Sequence, residues 1–206
     1  MGGDHYFSAE PAVADERRTL RVRIAGREVD VETARGVFSP DRLDLGTSVL
    51  LREVPDPPDG GHLLDLGCGW GPVTLTMATL APSATVWAVD VNTRALDLVR
   101  RNAAALGLPN VTAATPDDVP DDVTFAAMWS NPPIRVGKAE LHAMLLRWLP
   151  RLEPGADAYL VVQRNLGSDS LHRWLTAQLP EATTTRHGSA KGFRVLRVRR
   201  GVTPAG

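Results

Sequence analysis

The chain has 206 residues, a formal net charge of −1 and a single cysteine. With 43% apolar and 23% charged residues, and no apolar run near the ~20 residues that span a bilayer, the composition excludes an integral membrane protein and a disordered chain. One cysteine excludes an internal disulfide and a cysteine-rich metal site, and the near-neutral charge gives no global field that attracts nucleic acid.

An N-terminal extension precedes the main domain. Apolar and charged residues alternate over Leu20–Ile24 and Val29–Val31, and Ala25-Gly26 lies between the two runs, which predicts a β-hairpin. Apolar positions between Leu43 and Leu51 predict a short amphipathic helix. The prolines and glycines that follow, from Pro55 to Gly61, predict the entry to the main domain.

Strands and helices alternate through the rest of the chain. The predicted strands are His62–Leu66, Thr85–Val89, a short segment near Val111, Thr124–Trp129, Ala158–Val162, Thr183–Arg186 and Phe193–Arg199. The predicted helices are Val73–Ala81, Arg94–Leu106, Lys138–Leu149 and a segment from Leu171 to Leu179. This order predicts an α/β fold with a doubly wound, mainly parallel seven-stranded sheet. The expected division is residues 1–54 for the extension and 55–206 for the main domain.

A glycine-rich turn follows the first strand of the main domain. Gly67, Gly69 and Gly71 alternate there, so the backbone can turn sharply and a ligand can approach the main chain closely. Pro72 stands where the dinucleotide fingerprint G-x-G-x-x-G has its third glycine, which disfavours NAD. The alternative is a tight turn that binds no ligand.

Carboxylates end the two strands beside this turn. Asp65 ends the first strand, where it can accept a hydrogen bond from a cationic amino group such as that of a methionine moiety. Asp90 ends the second strand, where a carboxylate can bind both ribose hydroxyls, as it does in dinucleotide sites. Cys68 and Trp70, between the glycines, are expected to pack rather than to react.

The segment Asn131-Pro132-Pro133-Ile134 follows the predicted strand Thr124–Trp129 and therefore belongs at the carboxyl edge of the sheet. Consecutive prolines make the turn stiff and leave main-chain carbonyls free, and Asn131 adds a side-chain carbonyl. Two fixed acceptors suit a planar NH₂ group, which they would orient toward a methyl donor. A strand-ending turn without a catalytic role is the alternative.

These motifs resemble a known enzyme family. Asp65–Gly71, Asp90 and Ser130–Ile134 together resemble the class I methyltransferases, and within them the small-domain family that includes the RsmC-type ribosomal RNA guanine-N2 methyltransferases. Further similar segments are His5–Ser8, Gly36–Ser39, Asp44–Thr47, Arg135–Lys138 and Lys191–Leu196. The resemblance implies S-adenosylmethionine as donor and S-adenosylhomocysteine as product. The acceptor it implies is an exocyclic amino group of an RNA base, with guanine N2 of 16S ribosomal RNA as the first choice.

The resemblance also assigns the site residues. The implied catalytic residues are Asn131, Pro132, Pro133 and Ile134. The implied cofactor residues are Asp65, Gly67, Cys68, Gly69, Gly71, Asp90, Val91, Asn92 and Asn131, with Phe38 and Thr47 at the methionine end. Asp117 is the choice for the acid that meets the adenine, although the stretch 114–118 departs from the family pattern. Arg135 and Lys138 flank the turn and can meet a substrate phosphate, but ordinary helix-start charges look the same.

Other acceptors and functions stay open from the residues alone. A protein glutamine amide, adenine N6 or a small-molecule amine fits the same pair of acceptors. A donor-binding module that has lost catalysis and serves as a partner is the non-enzymatic alternative. Basic clusters at Arg17–Arg23 and Lys191–Arg200 would serve an RNA substrate only if the fold brings them near the site, and are otherwise solvated strand faces.

Location and partners follow from the same features. The five histidines lack metal-ligand spacing, so no metal is expected. The N-terminal residues Met1–His5 lack the pattern of a secretory signal, so we expect a cytoplasmic protein. The expected partner is ribosomal RNA or the small ribosomal subunit, with no membrane contact, and a monomer is favoured.

Overall fold

A seven-stranded sheet forms the centre of the computed structural model, which describes residues 15–202 apart from the side chain of Arg135. The strands are β1 (Arg17–Ile24), β2 (Arg27–Ala34), β3 (His62–Leu66), β4 (Thr85–Val89), β5 (Val111–Ala114), β6 (Phe125–Ser130), β7 (Leu152–Gln163), β8 (Ala182–Ala190) and β9 (Phe193–Arg200). The helices are α1 (Leu45–Glu53), α2 (Pro72–Leu80), α3 (Thr93–Ala105), α4 (Lys138–Trp148) and α5 (Ser168–Gln178). The segment His5–Ser8, similar to the family by sequence, lies outside the described residues.

The strand order of the large sheet is β5-β4-β3-β6-β7-β9-β8. The first five of these strands run parallel, and β9 is antiparallel to both of its neighbours. Helices α1, α2 and α3 pack on one face, and α4 and α5 pack on the other. Because both faces are covered, a central strand such as β3 is almost entirely buried. The predicted doubly wound α/β fold is confirmed.

The largest difference from the sequence-based prediction is at the start of one strand. β7 begins at Leu152 rather than at Ala158, because Leu152 already pairs with Phe125 across a bulge. Pro154 and Gly155, with Gly155 at φ +81°, lie in this irregular stretch. Proline and glycine normally indicate the end of a strand, so the sequence placed its start too late.

The N-terminal hairpin of β1 and β2 turns at Ala25 and Gly26, whose φ angles of 45° and 80° suit a two-residue turn with both central residues left-handed. Its buried residues pack with Trp70 and with α3. Asn102, which is buried, accepts a hydrogen bond from the Glu32 amide at 2.7 Å and donates to the Glu32 carbonyl at 2.9 Å and to the Trp70 carbonyl at 3.0 Å. The division of the chain at residues 54 and 55 stays a prediction.

The topology brings distant loops together at one edge of the sheet, here called the carboxyl edge. The loops after β3, β4, β5, β6 and β7 leave the parallel strands there, and the β8–β9 turn reaches the same edge because β9 runs antiparallel. The loop before α1 also reaches this edge. Among residues 15–202 no helix is both long and apolar enough to cross a membrane.

Candidate active site

A cleft of about 360 Å³ opens at the carboxyl edge. Its walls come from the loop before α1, from α1, from the glycine turn and from the end of β6. The residues that line it are Phe38, Ser39, Asp44, Thr47, Asp65, Gly67, Cys68, Gly69, Trp70, Pro72, Val73 and Asn131. The fold therefore assembles one concave site from most of the residues that the sequence assigned to cofactor binding.

The glycine turn adopts a backbone that other residues rarely tolerate. Gly67, Gly69 and Gly71 have φ angles of 78°, 55° and 101°. The Gly67 amide donates to the Val89 carbonyl at 2.8 Å, so the turn is tied to the end of β4. A Cβ on Gly71 would lie 3.1 Å from Val99 Cγ2, so this glycine also allows close packing of α3.

Asp65 is buried at the end of β3, and one of its oxygens is engaged. Thr74 donates to Oδ2 from its amide at 2.9 Å and from its hydroxyl at 2.6 Å. Oδ1 makes no hydrogen bond with the described residues, and Asp65 lines the cleft. Burial, with a smaller contribution from the nearby Asp90, raises the pKa of Asp65 to about 7 even though the Thr74 hydrogen bonds lower it. A cationic ligand group near Oδ1 would stabilise the carboxylate.

Asp90 joins the two loops of the cofactor side. Its Oδ2 accepts from the Gly69 amide at 3.0 Å and its Oδ1 from the Asn92 amide at 2.9 Å. Burial raises the pKa of Asp90, and these main-chain donors oppose the rise. Val91 beside it is exposed, whereas Asn92 is buried and its side chain caps α3 and donates to the Gly36 carbonyl at 2.8 Å. None of the three lines the cleft itself.

Cys68 and Trp70 are both buried. Burial raises the pKa of the Cys68 thiol, and the neighbouring carboxylates of Asp90 and Asp65 raise it further, so the thiol is protonated and unreactive. Trp70 donates from Nε1 to the Ser39 carbonyl at 3.2 Å, which fastens the loop that carries Phe38 and Ser39 to the glycine turn.

The Asn131 amide is fixed by side chains of the loop before α1 and of α1 itself. Its Nδ2 donates to Asp44 Oδ2 at 2.8 Å and to Thr47 Oγ1 at 3.0 Å. The preceding residue, Ser130, donates from its hydroxyl to the Leu66 carbonyl at 2.6 Å and so joins the ends of β6 and β3. Both N–H groups of the amide are therefore occupied, and Oδ1 remains as the free acceptor of a side chain that lines the cleft.

The prolines that follow form a tight turn. The Pro132 carbonyl accepts from the Ile134 amide at 2.8 Å, and the Pro133 carbonyl accepts from the Val136 amide at 3.2 Å. The sequence predicted a free Pro132 carbonyl, but one of its two lone pairs is engaged, and Pro132 is buried and is not among the residues that line the cleft. Ile134 begins a short 3₁₀ turn, and its side chain packs against the core beneath α4.

The other predicted contact residues lie farther out. The Asp117 side chain is 88% exposed, pairs with Arg147 and does not line the cleft. Lys138 is exposed at the first position of α4. The Arg135 side chain lies outside the described part of the structure.

The basic clusters noted in the sequence are largely neutralised. On the hairpin, Arg21 pairs with Asp30 across the strands, and Arg17 pairs with Asp97 of α3. On β9, Arg197 and Arg199 both pair with Asp157. These arginines therefore balance local carboxylates.

Sequence reasoning missed an acidic residue of the site. Asp44 caps α1 by accepting from the Thr47 amide at 3.0 Å, and the same Oδ2 accepts from Asn131. An aspartate before a short amphipathic helix indicates a cap in any sequence, but the contact with Asn131 spans 87 positions and arises only in the fold. Within residues 15–202 no cluster of three or more His, Cys, Asp or Glu side chains is arranged to hold a metal ion.

Comparison with protein families decides the class. The family model described as the methyltransferase small domain matches residues 28–197. The chain belongs to the methyltransferase small domain family. It is a methyltransferase by family, and the predicted resemblance to the small-domain methyltransferases that use S-adenosylmethionine is confirmed.

Two curated relatives of this methyltransferase illustrate its length. Protein YbxB of Bacillus subtilis (strain 168) is 30% identical over 200 residues, which cover 96% of this chain and 98% of YbxB. The ribosomal RNA small subunit methyltransferase C of Pseudomonas aeruginosa (strain LESB58) is 32% identical over 198 residues, which cover 93% of this chain and 57% of that protein. The chain thus spans little more than half of the second relative.

Solved structures share the fold. The Thermus thermophilus 16S rRNA N2 G1207 methyltransferase, solved with AdoMet and guanosine, superposes with a TM-score of 0.77 at 24% identity, over 92% of this chain and 52% of that one. TrmN from Thermus thermophilus gives a TM-score of 0.58 at 26% identity, over 74% of this chain and 47% of that one. The first of these structures places the seven-stranded sheet of this chain among methyltransferase folds.

Proposed function

We propose that this methyltransferase transfers a methyl group from S-adenosylmethionine to the exocyclic amino group of a base in ribosomal RNA, with guanine N2 of 16S ribosomal RNA as the substrate. The observation that carries the proposal is the orientation of Asn131. Asp44 and Thr47 occupy both N–H groups of its amide, which leaves Oδ1 as an acceptor for an NH₂ group in the cleft.

The cleft suits the donor. The free Oδ1 of Asp65 can accept from the donor's ammonium group, and the exposed ring of Phe38 can cover its methionine end. The left-handed glycines let the donor lie close to the main chain, and Asp90 stands at the next strand end for the ribose hydroxyls. When bound, S-adenosylmethionine supplies a methyl group on a positively charged sulfur.

The substrate side needs little more than positioning. Asn131 Oδ1 accepts a hydrogen of the target NH₂ group. This hydrogen bond turns the nitrogen lone pair toward the methyl group and reduces its conjugation with the base. A carbon–nitrogen bond forms as the carbon–sulfur bond breaks, and the nitrogen then releases one proton to solvent.

Ribosomal RNA as the acceptor is supported by similarity. The Pseudomonas aeruginosa relative is named a ribosomal RNA small subunit methyltransferase, and the Thermus thermophilus structure is named for guanine N2 of 16S rRNA. An adenine N6, a protein glutamine amide or a small amine would satisfy the same acceptor. Asn131 and the glycine turn, both in place, oppose a module without catalysis. We place the enzyme in the cytoplasm with its ribosomal substrate.

Labelled methyl transfer tests the proposal. The purified protein is incubated with donor labelled on its methyl group and, in parallel, with small ribosomal subunits from a strain that lacks this enzyme, with naked ribosomal RNA, and with protein extract. We expect label in the RNA, and nuclease digestion followed by mass spectrometry should yield N2-methylguanosine. Label found only in protein would overturn the RNA substrate, and label in adenosine would overturn guanine N2.

A further inference from the structure

A set of basic side chains at the carboxyl edge is not neutralised. These are Arg42, Lys138, Arg164 and Lys191, here called the rim cations. All are exposed, and none makes an ion pair or a side-chain hydrogen bond within residues 15–202. This contrasts with the paired arginines of the hairpin and of β9, and it leaves the rim cations available to a partner.

Two rim cations lie next to the elements that hold Asn131. Arg42 precedes Asp44 in the loop whose carboxylate binds the Asn131 amide. Lys138 is the first residue of α4, directly after the Asn131 turn. A cation at this end of a helix opposes the helix dipole, so Lys138 does not stabilise α4.

The other two lie across the neighbouring strand. Arg164 follows β7, which pairs with β6 next to Asn131. The Arg164 amide donates to the Gly192 carbonyl at 2.8 Å, which brings Lys191 in the β8–β9 turn close to Arg164. Lys138, Arg164 and Lys191 therefore lie on the β6 and β7 side of the edge, whereas Arg42 lies in the loop that Trp70 fastens to the glycine turn.

Apolar side chains are exposed between these charges. Leu45, next to Asp44, is 43% exposed, and Leu166, two positions after Arg164, is 48% exposed. Among the nearby carboxylates, Asp169 pairs with Arg186 and with Arg194, whereas Glu140 is exposed in the first turn of α4, two positions from Lys138. The positive charge is therefore least compensated at Arg164 and Lys191, beside the exposed Leu166.

We propose that the rim cations bind phosphates of an unpaired RNA strand on either side of the target base, while Leu45 and Leu166 contact its neighbouring bases. This rests on the proposed function. A single strand offers charged phosphates and flat apolar base faces in alternation, which matches this mixture of groups. A duplex hides its base faces and would use only the charges.

The salt dependence of RNA binding tests the proposal without any turnover. Affinity for a short, fluorescein-labelled single-stranded RNA of mixed sequence is measured at several salt concentrations for the whole protein. Each phosphate contact on a single strand contributes a slope of about −0.7 to log K against log salt. We expect Arg164→Ala and Lys191→Ala each to make the negative slope shallower by about 0.7, and their combination to make it shallower by about 1.4.

Arg27→Ala is the matched control. Arg27 is also exposed and makes no ion pair with the described part of the chain, but it lies beside the hairpin turn. Glu32 meets Asn102 near the end of α3 and Arg35 meets Arg94 near its start, so the hairpin turn points away from the carboxyl edge. We expect this variant to keep the wild-type slope.

Equal slopes for Arg164→Ala, Arg27→Ala and the wild type would overturn the assignment of the rim cations. Equally tight binding of a duplex of the same length would overturn the commitment to an unpaired strand. A failure of the proposed function shows separately, as RNA that binds with the expected slope but receives no methyl group.

A second inference rests on the hydrogen bonds of Asp44. Its Oδ2 accepts from the Asn131 amide and from the Thr47 amide, so one oxygen both orients Asn131 and caps α1. If the Asn131 amide were reversed, its NH₂ group would face the NH₂ group of the substrate, and neither could accept. We infer that Asp44 is a positioning residue that keeps Asn131 Oδ1 toward the substrate.

Three substitutions separate orientation from capping. Asp44→Asn keeps a side-chain oxygen in place for both contacts. Asp44→Ser keeps a cap of similar quality, but its shorter side chain does not reach Asn131. Asp44→Ala loses both. We expect near-wild-type turnover for Asp44→Asn and a roughly 10- to 100-fold lower kcat for Asp44→Ser, with donor affinity and Tm close to wild type.

A purely structural role predicts a different pattern, in which Asp44→Ser matches Asp44→Asn and only Asp44→Ala is impaired. That result would overturn the positioning role. An Asn131→Ala background provides a further check, since Asp44→Ser should lower kcat no further there. Additive losses in the double variant would also contradict the inference.

Discussion

The two sides of the carboxyl edge are constructed in different ways. On the side of β3 and β4, the glycine turn, Asp65 and Asp90 are held by hydrogen bonds among residues of one stretch, 65–92. On the side of β6 and β7, Asn131 is oriented by the loop before α1, and the rim cations come from separate segments. The glycine turn and its two carboxylates are thus a local product of the sequence, whereas the substrate surface exists only in the folded chain.

Removal of the Asn131 amide is expected to have the largest effect, and this effect should fall on the substrate side alone. We expect Asn131→Ala to lower kcat at least ~100-fold, because the substrate NH₂ group loses an oriented acceptor. Donor affinity should change only a few-fold, since Asp65 and the glycine turn are untouched. Single-turnover kinetics and calorimetric titration with S-adenosylmethionine measure the two quantities. Full activity in this variant would refute the role of the turn.

The reverse pattern is expected for a change on the donor side. Asp65→Asn keeps an oxygen for the Thr74 hydrogen bonds but removes the charge opposite the donor's ammonium group. Loss of a charge-assisted hydrogen bond should weaken donor binding by roughly 10- to 100-fold. At saturating donor, kcat should stay within several-fold of wild type. A fall in kcat as large as the loss of affinity would show that the two sides are not separable.

The pH dependence of donor binding is a second property expected of the donor side of the carboxyl edge. Burial raises the pKa of Asp65 to about 7, so below that pH the Asp65 carboxyl group carries a proton when no donor is bound. A cationic ligand binds the carboxylate and must displace that proton. Donor affinity should therefore fall about tenfold per pH unit below 7. Asp90 and Cys68 also face this region, so Asp65→Asn serves as the control and should show a much flatter profile.

Protonation of Asp65 changes the stability of the fold in the direction opposite to its effect on donor affinity. The pKa of Asp65 is raised above its ordinary value of 3.8, so as pH falls through about 7 the folded state takes up the proton before the unfolded chain does. The contribution of Asp65 to the free energy of unfolding therefore increases between pH 7 and 4. The free energy of unfolding is measured by urea denaturation at several pH values. The wild-type value minus the Asp65→Asn value isolates the contribution of Asp65. A difference that declines toward low pH would contradict it.

The smallest effect is expected where basic residues are already paired. Arg199 shares Asp157 with Arg197, and Arg199 is exposed. Arg199→Ala should change RNA methylation less than about twofold and the free energy of unfolding by no more than ~1 kcal/mol. RNA affinity at several salt concentrations should keep the wild-type slope. A clear loss of slope would extend the substrate surface to β9.

Most of the fold could be predicted, because each element carries its own pattern. The alternation of β3, α2, β4 and α3 and the glycine turn between them depend on periodicity and turn chemistry within a few residues. The start of β7 was predicted wrongly because Pro154 and Gly155 look like breakers, and only pairing with Phe125 keeps that stretch in the sheet.

In the site, too, residues that belong to a local sequence pattern could be predicted and residues that act through distant contacts could not. Asp65, the glycine turn and Asn131 were recognisable from strand ends and turn residues, and the fold brings them into one cleft. Asp44 was not recognised as a site residue, because capping of α1 alone accounts for an aspartate at this position. Its contact with Asn131 forms only in the folded chain. The basic clusters were visible as composition, but only the folded chain shows which cations have carboxylate partners.

The contacts of Asn102 bear on how this enzyme can be cut or recombined. One buried amide joins the second hairpin strand at Glu32 to the glycine turn at Trp70. No hairpin strand residue lines the cleft, yet a chain that lacked the hairpin would leave this amide and the apolar flank of Trp70 facing water. A chimera that exchanges the first 54 residues between relatives is therefore expected to keep the donor loop only if the new hairpin offers its main-chain amide and carbonyl to Asn102 in the same place.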